Sequence, residues 1–343
     1  MKVAIVILNY NGKNWLEKFL PNVITHNTYN NAEIVVADNA STDDSVAFLQ
    51  KEFSEIKIIQ NKNNSGYAGG YNAALKNVNA DIYCLLNSDV EVSGQWIENM
   101  LPIFGDDLVA AAQPKILSYQ HKNKFEYAGA AGGFIDKYGY PFCRGRIFDT
   151  VEEDKGQYDT PSEIFWATGA CLFIRSAIFH QAGGFDEDFF AHQEEIDLCW
   201  RLKNLGYKIM YVPQSKVYHV GGGTLDKKNP KKTFLNFRNN RFSLIKNLSE
   251  NEYQRIAFIR NLLDFIAISM AFLKGNFQEA NAIFNALNTY RKQRKYYENK
   301  RQNNELFIKL SSIKQPNKNG IYKGSIVWNY FIKGKKYFSD IQN

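Results

Sequence analysis

The chain has little of what would staple it covalently or send it out of the cell. Its four cysteines, Cys84, Cys143, Cys171 and Cys199, lie far apart with no C-x-x-C pair. That argues against a disulfide framework or a zinc knuckle and fits a thiol-reducing compartment. Met1-Lys2 runs straight into the apolar residues 3–8 without a cleavage site, so no secretory leader is expected. No apolar run approaches the roughly 20 residues of a spanning helix; the one in the C-terminal third covers only 265–273. The dinucleotide fingerprint G-x-G-x-x-G is missing, and no Gly-rich, Lys-bearing turn follows the first strand as a nucleotidyltransferase would require. No internal repeat is evident.

What is present is an ordinary globular composition, 45% apolar over 343 residues, enough for one large domain with an appendage or for two modest ones. The net charge of +7 hides a division. From Lys227 onward there are 23 Lys and Arg against 7 Asp and Glu, a local charge of +16, which leaves −9 for the remainder. An acidic front and a basic back imply different partners. The front suits metal ions and the back suits phosphates.

Short apolar runs at 3–8, 33–37, 57–60 and 82–86 predict strands, separated by helices over 15–24, 43–52 and 68–77. This alternation predicts βαβ units and a parallel sheet, whose ligands collect at the carboxyl ends of the strands. Polar clusters fall at those ends: Asn9-Tyr10-Asn11, Asp38-Asn39 and Asn87-Ser88-Asp89. Further on, 115–165 reads as strand and loop, 170–174 and 208–212 as strands, and 194–205 as a helix ended by Gly206. Beyond Asn229 the character turns helical, which sets a boundary near Asp226.

Each cluster admits a chemical and a structural role. Asp89 at a strand end could hold a hard divalent cation, or Asn87-Ser88-Asp89 could be an Asx turn. Asp38 could accept from a nucleobase N–H or cap the next helix. The glycines of Asn64-Ser-Gly-Tyr-Ala-Gly-Gly-Tyr-Asn72 could let backbone N–H groups approach an anion or a ring, or simply form a turn. Glu194, Glu195 and Asp197 stack three carboxylates within one helical turn. One could serve as a general base, or all could complement the helix dipole, with Arg201 as a relieving cation. His219, beside the Gly221–Gly223 run, is either a structural histidine or a further metal or phosphate contact.

Together these segments resemble the family-2 glycosyltransferases with the GT-A fold, especially the rhamnosyltransferase-like branch. The resemblance runs over residues 1–225 in order. It is carried by Val6-Ile-Leu-Asn-Tyr-Asn-Gly12, Val35-Val-Ala-Asp-Asn-Ala-Ser-Thr-Asp43, Gly66-Tyr-Ala-Gly-Gly-Tyr-Asn72, Leu85-Leu-Asn-Ser-Asp89, Thr168-Gly-Ala-Cys-Leu-Phe-Ile-Arg175, Gly183-Gly-Phe-Asp186 and Glu194-Glu-Ile-Asp-Leu-Cys-Trp-Arg201. It implies an α/β GT-A catalytic domain over 1–226, with a mainly parallel sheet flanked by helices, and a helical basic region over 227–343. It also implies an inverting transfer of a sugar, rhamnose in that branch, from a dTDP- or UDP-sugar to a lipid-linked or polysaccharide hydroxyl. Asp38 would meet the base and Asn9 and Tyr10 the nucleoside. Asn39, Gly66, Tyr67, Gly69, Asn72, Asn87 and Ser88 would complete the donor site. Asp89 and His219 would hold Mg²⁺ or Mn²⁺. The acidic pair points to Glu195 as base, with Glu194 and Asp197 as rivals. Asn87 departs from the family's leading Asp, and Glu195 carries one methylene more than the usual second acid.

The tail lacks a recognisable nucleic-acid motif and the front half offers no basic groove, so no nucleic-acid partner is expected. Aromatic–basic pieces such as 328–333 and 335–338 suit a membrane interface, and a helical cap with solvated lysines is the alternative. The expected place is the cytoplasm, at the inner face of the cell membrane. A second functional class, a non-catalytic nucleotide-sugar or glycan-binding module of the same fold, is separated from the enzyme by turnover.

Overall fold

A computed structural model describes residues 1–221, 229–310 and 315–341. The expected boundary near Asp226 and most of the glycine run after Gly221 lie outside the described residues.

The chain opens with β1 (Val3–Asn9), α1 (Lys13–Thr25), β2 (Ala32–Asp38), α2 (Ser45–Glu52), β3 (Lys57–Gln60), α3 (Gly66–Leu75) and β4 (Ile82–Asn87). β1 lies between β2 and β4, parallel to both, and β3 extends the parallel set beyond β2. Its Val-Ala-Ile-Val-Ile-Leu run is apolar at every position because both faces are covered, as a central parallel strand requires. Ala4 and Val6 enter one core cluster while Val3, Ile5 and Ile7 enter the other, the two-residue alternation of a strand.

There follow β5 (Val90–Val92), β6 (Val109–Ser118), β7 (Gly133–Asp136), β8 (Pro141–Cys143), β9 (Arg146–Ile147), β10 (Thr150–Val151), β11 (Ser162–Ile164), β12 (Cys171–Arg175), α4 (Ser176–Gln181), α5 (Glu194–Asn204) and β13 (Lys208–His219). The main sheet has the order β11-β13-β6-β12-β4-β1-β2-β3, with β5 paired to the far end of β13. β12 is antiparallel to both β4 and β6, and β6 and β13 are again parallel. The parallel parts are β1–β4 and the β6–β13 pair on either side of the reversed β12, while β11 and β5 also run antiparallel to β13. That reversal puts the start of β12, rather than its end, beside the carboxyl end of β4.

The rest is α6 (Pro230–Asn247), α7 (Glu250–Leu273), α8 (Phe277–Leu310), β14 (Ile321–Tyr322), α9 (Ile326–Phe331) and α10 (Phe338–Ile341). These elements are interleaved with the front half. Arg241 Nε donates to Asp264 Oδ2 at 2.8 Å, and Arg260 Nη2 donates to Asn240 Oδ1 at 2.8 Å, joining α6 to α7. Phe242 stacks on Tyr297 at 3.8 Å, joining α6 to α8. β14 closes a second sheet, β10-β9-β8-β7-β14, pairing in parallel with β7. Ile326, Phe338 and Ile341 then cover Phe142 and Ile147 of that sheet.

Candidate active site

The polar residues at the ends of β1, β2 and β4 meet at one edge of the sheet, and their side chains first satisfy one another. Buried Asn9 donates from Nδ2 to Asp38 Oδ1 at 3.1 Å and to Ser41 Oγ at 3.2 Å. Asp38 Oδ2 accepts from the Ser41 backbone N–H at 2.9 Å. Asn9 Oδ1 is buried without a partner, which leaves one acceptor at this corner for a ligand donor. Tyr10 next to it is 44% exposed, a ring with a free face.

Asn39 is a brace. Its Nδ2 donates to Asn64 Oδ1 and to Gly66 O, both at 3.0 Å, and its Oδ1 accepts from Asn61 Nδ2 at 3.1 Å. Gly66 has φ +73°, and a Cβ there would stand 2.3 Å from the carbonyl oxygen of Phe190. Only glycine lets the loop before α5 sit this close to the start of α3. Gly69 packs so closely on Ser65 that a Cβ would meet its Oγ at 2.7 Å. Tyr67 donates to Gly169 O at 2.8 Å. Asn72 bridges Phe185 O at 2.9 Å and Glu187 Oε1 at 3.0 Å, while its Oδ1 accepts from Phe185 N. Every polar atom of Asn72 is thereby spent on the 185–187 loop. It positions that loop.

At the end of β4, Asp89 and His219 lie side by side, the two residues that the family resemblance put together. His219 Nε2 is 3.2 Å from Asp89 Oδ1 and 3.4 Å from Asn87 Nδ2. On the other ring face, Nδ1 is 3.4 Å from Glu126 Oε2. Glu126 escaped the sequence reading: it stands alone in a Gly-, Ala- and aromatic-rich stretch with no periodicity to mark it. All three groups are buried. Burial disfavours the imidazolium, but the two carboxylates outweigh it and push His219 up to about 10. Burial also opposes ionisation of Asp89 and Glu126, yet His219 holds both below their ordinary values. Ser88 sits at the same edge, its hydroxyl near Gly12.

This arrangement fits a divalent cation. In this structure Nε2 faces Asp89 Oδ1 directly, so a cation would bind by displacing the Nε2 proton and entering between the two, with Glu126 on the Nδ1 side. Among the described residues no group of three or more His, Cys, Asp or Glu forms a complete metal cage. Asp89 and His219 could supply two ligands to a cation whose other positions a bound group would fill.

The third cluster opens α5. Glu194 is buried, Glu195 half-buried, and each has an Oε2 with no partner. Burial, reinforced by the neighbouring Glu195, holds Glu194 well above the ordinary carboxylate range. Burial pushes Glu195 up to about 7, against backbone hydrogen bonds that partly offset it, one of them from Gly169. The next residue after Gly169, Ala170, accepts at its carbonyl from Asn87 N at 3.0 Å. The 169–170 backbone thus joins the acidic pair to the end of β4. Asp197 faces elsewhere. It is fully buried and accepts from Arg201 Nε at 3.0 Å, Lys246 Nζ at 2.7 Å and Asn247 Nδ2 at 2.8 Å. Through these contacts it braces α5 against α6.

The loop feeding α5 is strained, with left-handed φ at Phe190 (64°), His192 (69°) and Gln193 (73°). Asn239 Nδ2 holds it, donating to Phe189 O and Ala191 O at 3.0 Å and to His192 O at 2.7 Å. Asn239 lies in the basic helical region, and nothing in its own sequence context marks it.

An α/β sheet with its polar edge arranged in this way is the GT-A class of fold, which solved structures share. The chain superposes on GalNAc-T7 crystallised with UDP, GalNAc and Mn²⁺ with a TM-score of 0.56 at 17% identity, covering 74% of this chain and 49% of that one. The chain belongs to Glycosyl transferase family 2, whose sequence pattern matches residues 4–180. It is 25% identical to the N-acetylglucosaminyl-diphospho-decaprenol L-rhamnosyltransferase of Mycobacterium tuberculosis over 63% of this chain and 75% of the relative. A low-salt glycan biosynthesis hexosyltransferase of Haloferax volcanii is 24% identical over 83% of this chain and 90% of its own. The chain spans only 24% of the length of an uncharacterised Sinorhizobium fredii protein that it matches at 26% identity.

Proposed function

We propose that this family-2 glycosyltransferase moves a sugar, rhamnose or another hexose, from a dTDP- or UDP-activated donor to a hydroxyl of a lipid-linked or cell-surface polysaccharide acceptor, with inversion. The observation that carries the reading is the presence at one end of the sheet of the His219–Asp89 pair and of the Glu194–Glu195 pair, each of whose glutamates keeps an unpartnered Oε2. In this reading Asp38, Asn9 and Tyr10 receive the nucleoside, with Ser88 and Asn87 beside it, and Asn39, Gly66, Tyr67 and Gly69 shape the floor. Asp89 and His219 hold Mg²⁺ or Mn²⁺, oriented by Glu126; the cation, when bound, supplies charge to the departing diphosphate. Glu195 takes the proton from the acceptor hydroxyl as its oxygen bonds to the anomeric carbon and the bond to the diphosphate oxygen breaks. Glu194 keeps its proton and spares the site a second negative charge. Residues 1–226 carry this chemistry and 227–343 orient it at the inner membrane surface. GalNAc-T7, solved with UDP and Mn²⁺, and the mycobacterial rhamnosyltransferase support the choice of donor class, metal and acceptor.

The test is nucleotide release by purified protein from dTDP-rhamnose and a panel of UDP-sugars, with Mn²⁺ or Mg²⁺ and then EDTA, in the presence of a lipid-linked acceptor extract. Metal-dependent release from one donor, abolished in Asp89→Ala and Glu195→Gln, is expected. Silence across the panel from folded protein would overturn the reading in favour of a binding module.

A further inference from the structure

The helical hairpin α7–α8 has two sides of opposite character. Its inner side is tied to the rest of the protein: Arg260 and Asp264 are buried, Arg260 donating to Tyr138 O and Asn240, and Asp264 accepting from Arg241. Its outer side carries large exposed apolar residues, among them Phe258 (78% exposed), Leu262, Phe265, Met270, Leu273 (83%) and Phe277. Phe272 and Phe277 meet edge-on at 5.1 Å across the turn and make the tip itself aromatic. From 256 to 290 the hairpin exposes no Asp, Arg or second Lys; Lys274 and the half-covered Glu279, both at the turn, are its only accessible charges.

At the opposite end that changes abruptly. Arg255, Arg291, Lys292, Arg294 and Lys295 are all exposed. The Tyr253 hydroxyl contacts that of Tyr290 and the Arg294 guanidinium lies over the Tyr253 ring, so these five cations stand at one level of the two antiparallel helices. An apolar tip below a collar of cations is the pattern of a segment seated in a bilayer whose surface is anionic.

We infer that the α7–α8 hairpin docks the protein on an anionic lipid bilayer, with the face from Phe258 to Phe277 among the acyl chains and the 255/291–295 collar at the headgroups. This deepens the membrane-surface reading given above and rests on it, while replacing the 328–338 tail as the contact. α7 is long and apolar enough by composition to cross a membrane, but crossing would strip Arg260 and Asp264 from their buried partners. Seating on one leaflet keeps them. From Arg255 to Leu273 the helix rises about 27 Å, more than the roughly 15 Å hydrocarbon depth of one leaflet, so the hairpin lies obliquely. A second copy of the chain is the weaker occupant, because it would cover the apolar face and offer the cationic collar no anionic partner, which an anionic headgroup layer does.

The experiment is co-sedimentation of the full chain with phosphatidylcholine vesicles with and without 30% phosphatidylglycerol, at low and high salt. Three variants accompany it, each checked for wild-type thermal unfolding: Phe265→Glu/Leu273→Glu; Arg291→Gln/Lys292→Gln/Lys295→Gln; and Trp328→Ala/Phe331→Ala. The wild type is expected to sediment with the anionic vesicles. The first variant should lose at least about tenfold in partitioning at any salt. The second should lose a similar factor at low salt and match the wild type at high salt, and the third should bind normally. Normal binding by the first variant overturns the inference. Loss confined to the third moves the contact to the tail and leaves the membrane reading standing. If the wild type binds no vesicles, hairpin and membrane reading fall together, whereas the sugar-transfer reading is decided separately by donor turnover.

Discussion

Glu195 and Asp197 are two residues apart on one helix, yet their surroundings are opposite in kind. Asp197 is surrounded by Arg201, Lys246 and Asn247 and is spent as an anion. Glu195 has no cationic partner, an unpaired oxygen and an affinity for protons raised to about 7. A base of that strength is half-ionised near neutrality, where proton transfer is most effective. Transfer is therefore expected to rise tenfold per pH unit below about 7 and to level off above it. Glu195→Gln should lower kcat by two or more orders of magnitude and flatten that limb. A rising limb that survives in Glu195→Gln would assign the base to another group. The same shift has a signed effect on stability. Because the folded state binds the proton more tightly than the unfolded chain, the contribution is full below the ordinary carboxylate value of 4.5 and is lost as pH rises through about 7. Urea unfolding of Glu195→Gln should show a shallower decline over that window than the wild type.

Among the elements, α3 and the loop before α5 depend on each other through a single glycine. Gly66 adopts φ +73° and would press a Cβ to 2.3 Å from the Phe190 carbonyl, which is backbone and cannot turn aside. Gly66→Ala should cost at least about 2 kcal/mol, from the left-handed backbone and the clash together. Gly94→Ala, which meets nothing within 4 Å, is the control. Equal denaturation midpoints for the two variants would show that the loop yields freely. This glycine was visible in the sequence as a break at a helix start, as were the strand ends at Asn9, Asp38 and Asn87, because each is a local change from apolar run to polar turn. Glu126 and Asn239 were not, since an isolated acid in an irregular stretch and one asparagine in a helix acquire meaning only from the carbonyls and the imidazole that folding brings to them. The outer face of α7 was hidden for a related reason. Arg260 and Asp264 interrupt its apolar run in sequence while pointing inward in the fold. The helix starts at a capping box, in which the Ser249 hydroxyl accepts from Glu252 N and the Glu252 carboxylate accepts from Ser249 N.

Over the whole molecule, the acidic front and basic back prove to be complementary where they touch. Lys246 and Lys300 each donate to Asp186 at 2.7 Å, and they reach Asp197 and Asp188 respectively at the same distance. The chain then returns past α8 to add β14 to the edge of β7, with Ile321 opposite Ile135, and Ile326 N donates to Asp136 Oδ2 at 2.9 Å. A fragment ending at residue 314 keeps every strand of the main sheet, so a tail that merely decorated the enzyme could be removed without harm. The contacts argue otherwise, because the truncation would bare Phe142 and Ile147, leave the β7 edge unpaired and strip a donor from buried Asp136. The fragment is expected to unfold at a temperature several degrees lower and to aggregate at concentrations where the full chain stays monodisperse, by scanning calorimetry and analytical ultracentrifugation. A fragment that matched the full chain in both would mean that the second sheet stands without its last strand and that the tail's work lies outside the fold.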